Sequence, residues 1–555
     1  MSRNHAAATT ARPTDYARVV IDRSHARSMT VSSSGIVASE HPLASQAGAS
    51  VLAAGGHAVD AAIAANAVMG VVAPMMNGLG GDLFAIVHDT AASGLAGLNA
   101  SGWAPAGLPQ LLERAGCAEM PQAGIHSVTV PGAVAGWGAL HTRFGRLPLA
   151  RVLAPAIGLA RDGVPVAELS AAEWQGTEAA LRVHPNATRT FLPEDRAPRV
   201  GEVFRNPDLA WSYEQIAVGG RAAFYEGDIA ARLLACSTSL GGALTRSDLE
   251  EFEPEWVTPL SAAYRGWTVH ELPPNGQGIA ALMMLGILGH FDVGGWGVQA
   301  AEALHVIVEA KKLAYADMRR HLADPRLVHV PVAELLDPDY LARRAGTIDL
   351  SRAHDEVKPG VLPDRGSDTT YLAVLDRNGN AVSLIQSNFA NFGSGVVPDG
   401  LGFALQNRGG LFTLDARQPN VLAPRKRPLH TIIPGFMSKD GTVAAFGIMG
   451  GWNQAQAHVQ FVSNVVDHGL NIQAALDAPR LTKLTFEGCD VLVESRVPEH
   501  VRATLTGLGH ELVVLGDYSS LVGGGQCVMR DAAGTNYGAS DPRKDGAALP
   551  EPLVV

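Results

Sequence analysis

The sequence predicts an α/β chain, and three observations carry that prediction. Runs of alternating or β-branched apolar residues, such as 369–376 and 381–388, are interspersed with stretches of helical character at 301–320 and 459–466. Between the first two runs lies Arg377-Asn378-Gly379-Asn380, a strong short-range hairpin signal. A hydrophobic fraction of 47% against 17% charged residues fits a large buried core, and 61 glycines with many alanines indicate close packing of helices on sheets. The length of 555 residues would by itself suggest several domains, yet no Ser/Pro/Gly-rich linker, internal repeat or low-complexity stretch divides the chain.

Taken in order, the opening Met1-Ser2-Arg3-Asn4-His5 lacks the continuous apolar run of a secretory signal. Residues 60–69 read as a buried helix of small residues, too short and too polar at its ends to span a membrane. Gly78-Leu79-Gly80-Gly81 has the outline of a nucleotide loop, but Leu83 stands where the third fingerprint glycine belongs, so no dinucleotide site is expected. In the helical stretch 305–317, Glu309, Leu313 and Asp317 share a face; such a carboxylate pair is more often a helix surface or interlayer contact than a catalytic dyad. Cys117, Cys236, Cys489 and Cys527 are isolated, without metal-ligand spacing, and are expected to be buried free thiols in a reducing compartment. The net charge of −11 argues against a nucleic-acid partner. The expected setting is cytoplasmic, with no membrane partner, no metal and no cofactor.

The most informative segment is Ser367-Asp368-Thr369-Thr370-Tyr371, which opens the first hairpin strand. A threonine there is ordinarily a matter of β-propensity. A two-residue turn at Asn378-Gly379 sets Thr369 opposite Asn388 and Thr370 opposite Ser387; a one-residue bulge sets Ser387 opposite Thr369 instead. Either register collects hydroxyls at the open end of the hairpin, and spacing alone also admits a solvated strand end. A hydroxyl needs a base to act as a nucleophile, and no His or Lys lies close in sequence. Cleavage of the Asp368–Thr369 bond supplies one, because the freed α-amine of Thr369 titrates near about 7.7–8.0 and sits beside its own hydroxyl.

With these residues in place, the chain resembles the γ-glutamyltransferase family of N-terminal-nucleophile hydrolases, from about Gly35 to Gly546. The matching blocks include Ser39-Glu40-His41-Pro42, Gly55-Gly56-His57-Ala58-Val59-Asp60, Gly78-Leu79-Gly80-Gly81-Asp82, Val130-Pro131-Gly132 and Pro273-Pro274-Asn275-Gly276-Gln277-Gly278. The Asp-Thr-Thr hairpin, Phe392-Gly393-Ser394-Gly395, Lys426-Arg427-Pro428, Gly450-Gly451 and Gly538-Ala539-Ser540-Asp541-Pro542-Arg543 follow in family order. The resemblance implies a four-layer αββα sandwich built from two subunits of one cleaved precursor. It places an N-terminal extension at 1–34, expected to be poorly ordered, a large subunit at 35–368 and a small subunit at 369–555, all in one interleaved globule. Thr369 is then the nucleophile, Ser387 its hydrogen-bonding partner, and Gly450 and Gly451 the oxyanion donors. Taken alone, Gly450-Gly451 reads as an ordinary tight turn.

The glutamyl-binding pattern of the family is absent. Its carboxylate-binding arginine segment is here Leu98-Asn99-Ala100-Ser101-Gly102-Trp103, without arginine. The acidic run that grips the α-amino group is replaced by Gln406-Asn407-Arg408-Gly409, its paired serines by His430 and Thr431, and an asparagine near the nucleophile by Phe389. Losing one partner of a desolvated charge pair costs about 2–5 kcal/mol. The pocket motifs resemble instead the branch that includes oxamate amidohydrolase. Ser101, Trp103, Phe389, Arg408, His430 and Thr431 are the candidate substrate-binding residues. Arg408 reads either as the partner of a short carboxylate or as a structural salt bridge, His430 as a hydrogen-bonding residue rather than a base, and Trp103 as a packing residue or pocket wall.

The expectation is a self-processing threonine amidohydrolase acting on a small carboxylate-bearing amide of the oxamate type. The alternatives are γ-glutamyl transfer or hydrolysis, a cephalosporin-acylase-like activity, and an uncleaved binding protein. Its partners would be a small-molecule amide, its own cleaved subunit and, for the mature pair, further copies of itself.

Overall fold

The computed structural model describes residues 25–92, 94–355, 368–483, 485–486 and 488–553. Asp368 is the first described residue of its strand, so the segment that precedes the expected cleavage site lies outside the described residues.

Two seven-stranded sheets form the centre. The first runs in the order Ala547–Pro550, Ile36–Ser39, Asp368–Leu375, Ala381–Phe389, Asp82–His88, Leu95–Ala100, Glu255–Val257. The second runs Thr30–Ser32, Asn536–Ser540, Gly525–Arg530, Thr442–Ile448, Gly435–Lys439, Trp267–Glu271, Leu260–Tyr264. Side-chain alternation builds the layers from here. Tyr371, Ala373, Ile385, Phe84 and Ile86 of the first sheet pack on Phe436, Ala445 and Val528 of the second. Their neighbours Leu372, Val374, Leu384 and Leu83 face outward onto the helix Ala58–Val72 and others. Met437, Ala444 and Phe446 face the other way, onto Gly278–Leu288, Ala301–His321 and Gln454–Val466. The result is the expected αββα sandwich.

The helix read at 60–69 spans Ala58–Val72 and is buried along its whole length. Its small residues let it lie close to the sheet, and His57 and Asp60 cap its start reciprocally. The helices read at 301–320 and 459–466 are observed at Ala301–His321 and Gln454–Val466. Glu309 is ion-paired with Lys312 at 2.7 Å and Asp317 with Arg344 at 3.0 Å, so neither is a spare carboxylate.

Three expectations are corrected. The hairpin connection is not a two-residue turn: Leu375 pairs with Ala381, and the amide of Gly379 donates to Asp376 O at 3.1 Å. The Asp376 carboxylate accepts from the Asn378 amide (2.9 Å), the Asn380 amide (3.0 Å) and Asn380 Nδ2 (2.7 Å), which closes a three-residue loop with only Gly379 at positive φ (+88°). The extension expected to be poorly ordered at 1–34 contains a strand, Thr30–Ser32, which pairs with Asn536–Gly538 at a sheet edge; residues 1–24 lie outside the described residues. All four cysteines are free, but Cys117 and Cys236 are only half-buried. Among the described residues, no helix is long and apolar enough to cross a membrane.

Candidate active site

The strand register lines up polar side chains at one end of the sandwich. The three-residue loop sets Thr370 against Gln386, which brings Thr369 level with Ser387; a bulge between Asp368 and Thr370 follows, and Asp368 pairs with Phe389. On the next strand Ser387 pairs with Asp82, and the pairing of Leu83 with Ala100 leaves Ser101 beside Asp82. Ser387 and Asp82 share the alternation of Ile385 and Phe84, so they point between the sheets. Thr369, Ser387, Asp82 and Ser101 are all buried. Gly81 permits the approach of the preceding loop, since a Cβ there would lie 2.5 Å from Ser387 O.

The Thr369 hydroxyl donates to Ser387 Oγ at 3.3 Å, and Ser387 Oγ also accepts from the Phe389 amide at 2.8 Å. Gln454 Nε2 lies 3.5 Å from Thr369 Oγ1 on the donor side. Among the described residues these are the hydroxyl's hydrogen-bond partners, and neither is a base at neutral pH.

Asp82 is the hub of the adjoining pocket. Its Oδ1 accepts from the Gly102 amide and from Gln406 Nε2, both at 2.8 Å, and its Oδ2 from His430 Nε2 at 2.9 Å. Burial, followed by the charge of Arg408, pushes the His430 imidazole down to about 4 despite Asp82, so the ring is neutral at pH 7. Its Nδ1 accepts from the Ile432 amide at 3.3 Å. Both ring nitrogens are therefore spent inside the protein, and His430 acts by holding Asp82 rather than by offering a donor to a ligand.

Arg408 is wholly buried in the same pocket. Its Nη1 donates to Thr431 Oγ1 at 2.6 Å, and its guanidinium lies over the Phe389 ring, 4.6 Å from the centroid. Nε and Nη2 have no hydrogen-bond partner among the described residues. Burial draws its pKa down to about 9, with Asp82 the carboxylate that opposes the fall. Phe389 pays for its position over the cation with a φ of +76°, a left-handed conformation unusual for a bulky residue.

Gly450 (φ +125°) and Gly451 (φ +58°) turn the chain from the strand Thr442–Ile448 toward the helix Gln454–Val466. Their amides donate to no other group among the described residues. The turn is braced from behind. Gln277 Nε2 donates to Gly451 O at 2.8 Å, and the single Tyr315 O–H is shared between Gln277 Oε1 and Trp452 O, each 2.6 Å from Oη. Asn275, in the same Pro-Pro-Asn-Gly-Gln block, donates to Pro428 O at 2.7 Å and accepts from Asn99 Nδ2 at 2.8 Å. That block is thus a brace for the segments carrying His430, Thr431 and Gly451.

The remaining candidates are engaged elsewhere. Ser101 Oγ donates to Asn99 Oδ1 at 2.7 Å, and the Trp103 indole donates to Asp248 O at 3.1 Å while its ring packs edge-on against Phe252. His305, Glu309 and His510 form the one metal-ligand-type cluster among the described residues, but the Lys312 ammonium is already bound to Glu309 and the histidines bond each other at 2.8 Å. Sequence reasoning missed Asp82 and Gln454. Asp82 ends the Gly78-Leu79-Gly80-Gly81 block at a strand start, a signal that was there to be read; Gln454 carries none.

The αββα sandwich is the architecture of the N-terminal-nucleophile hydrolases. The chain belongs to the γ-glutamyltranspeptidase family, whose model (Gamma-glutamyltranspeptidase) matches residues 44–551. It is 37% identical over 521 residues to the glutathione hydrolase-like YwrD proenzyme of Bacillus subtilis, covering 93% of this chain and 98% of that one. It is likewise 37% identical over 532 residues to the oxamate amidohydrolase proenzyme of Klebsiella pneumoniae subsp. pneumoniae, covering 94% and 99%. The crystal structure of a cephalosporin acylase from Bacillus halodurans superposes with a TM-score of 0.89 at 40% identity, covering 97% and 99%. The protein is an amidohydrolase of this family.

Proposed function

We propose that this chain is a self-processing amidohydrolase for small amides bearing a carboxylate next to the scissile bond, of the oxamate type. One observation carries the substrate class: the pairing state of Arg408. The two unpartnered nitrogens, Nε and Nη2, form the side-on edge of the guanidinium, the geometry that accepts a carboxylate through two parallel hydrogen bonds. Thr431 holds the remaining nitrogen and Phe389 covers a face, so the edge is presented in a fixed direction.

Self-cleavage precedes turnover in this reading. Thr369 Oγ attacks the Asp368 carbonyl carbon, the hydroxyl proton passes by way of Ser387 to the departing Thr369 nitrogen, and the C–N bond breaks to leave an ester. Water then hydrolyses the ester, giving an Asp368 carboxyl and a free Thr369 amine, hence subunits ending at 368 and beginning at 369. In turnover the α-amine takes the Oγ proton as Oγ attacks the amide, and gives it to the leaving ammonia; water then splits the acyl-enzyme. The amides of Gly450 and Gly451 are the oxyanion donors.

γ-Glutamyl hydrolysis or transfer is the second reading, and the glutathione hydrolase-like relative favours it. A glutamyl head group needs a carboxylate for its ammonium, and the oxygens of Asp82 are already taken by Gly102, Gln406 and His430. The deciding experiment compares ammonia release from oxamate with turnover of γ-glutamyl-p-nitroanilide. Oxamate is expected to have the higher kcat/KM, and Arg408→Lys to raise its KM; faster turnover of the glutamyl compound overturns the proposal.

A further inference from the structure

We infer that Gln454 is a catalytic residue that fixes the direction of the Thr369 hydroxyl and stabilises its oxygen whenever that oxygen carries negative charge. The inference rests on the nucleophile reading above and adds a residue to it.

The orientation of one buried amide sets the geometry around the nucleophile. Gln454 is fully buried at the first turn of the helix Gln454–Val466, three residues beyond Gly451. Its Oε1 accepts from the Ile433 amide at 3.0 Å. That bond settles which end of the carboxamide is oxygen, and so places Nε2 toward Thr369 Oγ1 at 3.5 Å. The Thr369 hydroxyl has one proton, which goes to Ser387, and two lone pairs. Gln454 occupies one lone pair and leaves the other for attack. The bond is long in the resting hydroxyl, as catalytic hydrogen bonds often are before charge develops.

Ser387 and Gln454 then differ in when they act. Ser387 accepts the hydroxyl's hydrogen bond and is useful only while Oγ still carries its proton. Gln454 donates to Oγ as it becomes alkoxide-like during attack, while it is an ester oxygen, and again as it departs when water splits the ester. Loss of the donor therefore slows self-cleavage and both halves of turnover. A hydrogen bond to a charged oxygen is worth about a 10- to 100-fold rate factor. The segment that orients Gln454 is also the one that holds Arg408: Thr431 bonds the guanidinium, and Ile433, two residues on, bonds Gln454. One short stretch thus sets both ends of the proposed substrate site.

The test uses Gln454→Met and Gln454→Glu in the full chain. Self-cleavage is followed on denaturing gels, and kcat and KM for oxamate are measured after cleavage is complete, per free N-terminal threonine. Both variants are expected to cleave about 10- to 100-fold more slowly at pH 8, and to lose kcat by a similar factor with KM unchanged. Gln454→Glu keeps an acceptor for Ile433, and its cleavage is expected to recover as acid restores a donating O–H; a purely structural residue gives no such recovery. Wild-type cleavage and kcat in both variants overturn the inference while leaving the nucleophile intact. A Thr369→Ala chain that still splits overturns the nucleophile reading instead. Cleavage needs no added substrate, so it decides the inference even if oxamate is not turned over.

Discussion

Arg408 and Arg543 are both sealed from solvent, and they are held in opposite ways. Arg543 donates through Nε and Nη2 to Glu494 at 2.7 and 2.6 Å, through Nη1 to Asp541 at 3.1 Å, and to the carbonyls of Leu476 and Ala478. Arg480 joins the same carboxylates' network through Asp541. Arg408 has one hydrogen bond, to a threonine. The electrostatics follow: carboxylates raise Arg543 against its burial, whereas burial draws Arg408 down to about 9. A buried guanidinium whose every nitrogen is answered by the protein is a structural cross-link. One whose bidentate edge is unanswered costs stability and leaves two donors free for the carboxylate of the proposed substrate.

The contrast can be broken most severely at Arg543. Arg543→Met strands Glu494 and Asp541 in the interior and is expected to cost about 3–5 kcal/mol, read as a lowered urea midpoint in the uncleavable Thr369→Ala background. Arg408→Met removes a cation that has no carboxylate of its own, and is expected to be neutral or to stabilise by up to about 4 kcal/mol. The same change removes the partner of the substrate carboxylate, so kcat/KM for oxamate should fall by about 2–5 kcal/mol, roughly 30-fold to several thousand-fold. If both variants destabilise alike, the distinction drawn between the two arginines is lost.

A smaller effect sharpens the picture of the Arg408 pocket by pH. His430 is held below its ordinary value, so the folded chain binds this proton less readily than the unfolded chain. Its contribution is complete above pH about 6.5 and is lost as the pH falls toward 4, at about 1.4 kcal/mol per unit. Between pH 6.5 and 5 the wild-type fold should therefore lose about 2 kcal/mol more than His430→Gln, as urea midpoints would record. The smallest expected change is at Phe389. Phe389→Asn relieves the left-handed backbone but removes the ring beneath the guanidinium, for an affinity loss of about 1 kcal/mol seen as a roughly fivefold rise in KM at similar kcat.

Much of this was legible before any coordinates. Small residues at 60–69 announced a buried helix, and Asn378-Gly379 announced the hairpin. The register was not, because it turns on the Asp376 carboxylate capturing three donors of the loop rather than on the Asn-Gly pair. The shift by one residue is what sets Ser387, not Asn388, against Thr369. Arg408 could be read as a salt bridge or a ligand partner with equal right, since pairing depends on which acids arrive in three dimensions. Asp82 does arrive, already committed to His430, Gln406 and Gly102. Gln454 was invisible for a related reason: its role depends on the Ile433 amide, which chooses the end of the carboxamide that faces the nucleophile.

The proposed chemistry depends on the amine that cleavage would expose beside its own hydroxyl. Intact-mass measurement and N-terminal sequencing of active, purified protein should find two chains, one of them starting at Thr369 and the other ending at Asp368, while Thr369→Ala remains whole. Full activity residing in a single unbroken chain would contradict it, because the hydroxyl would then have no base.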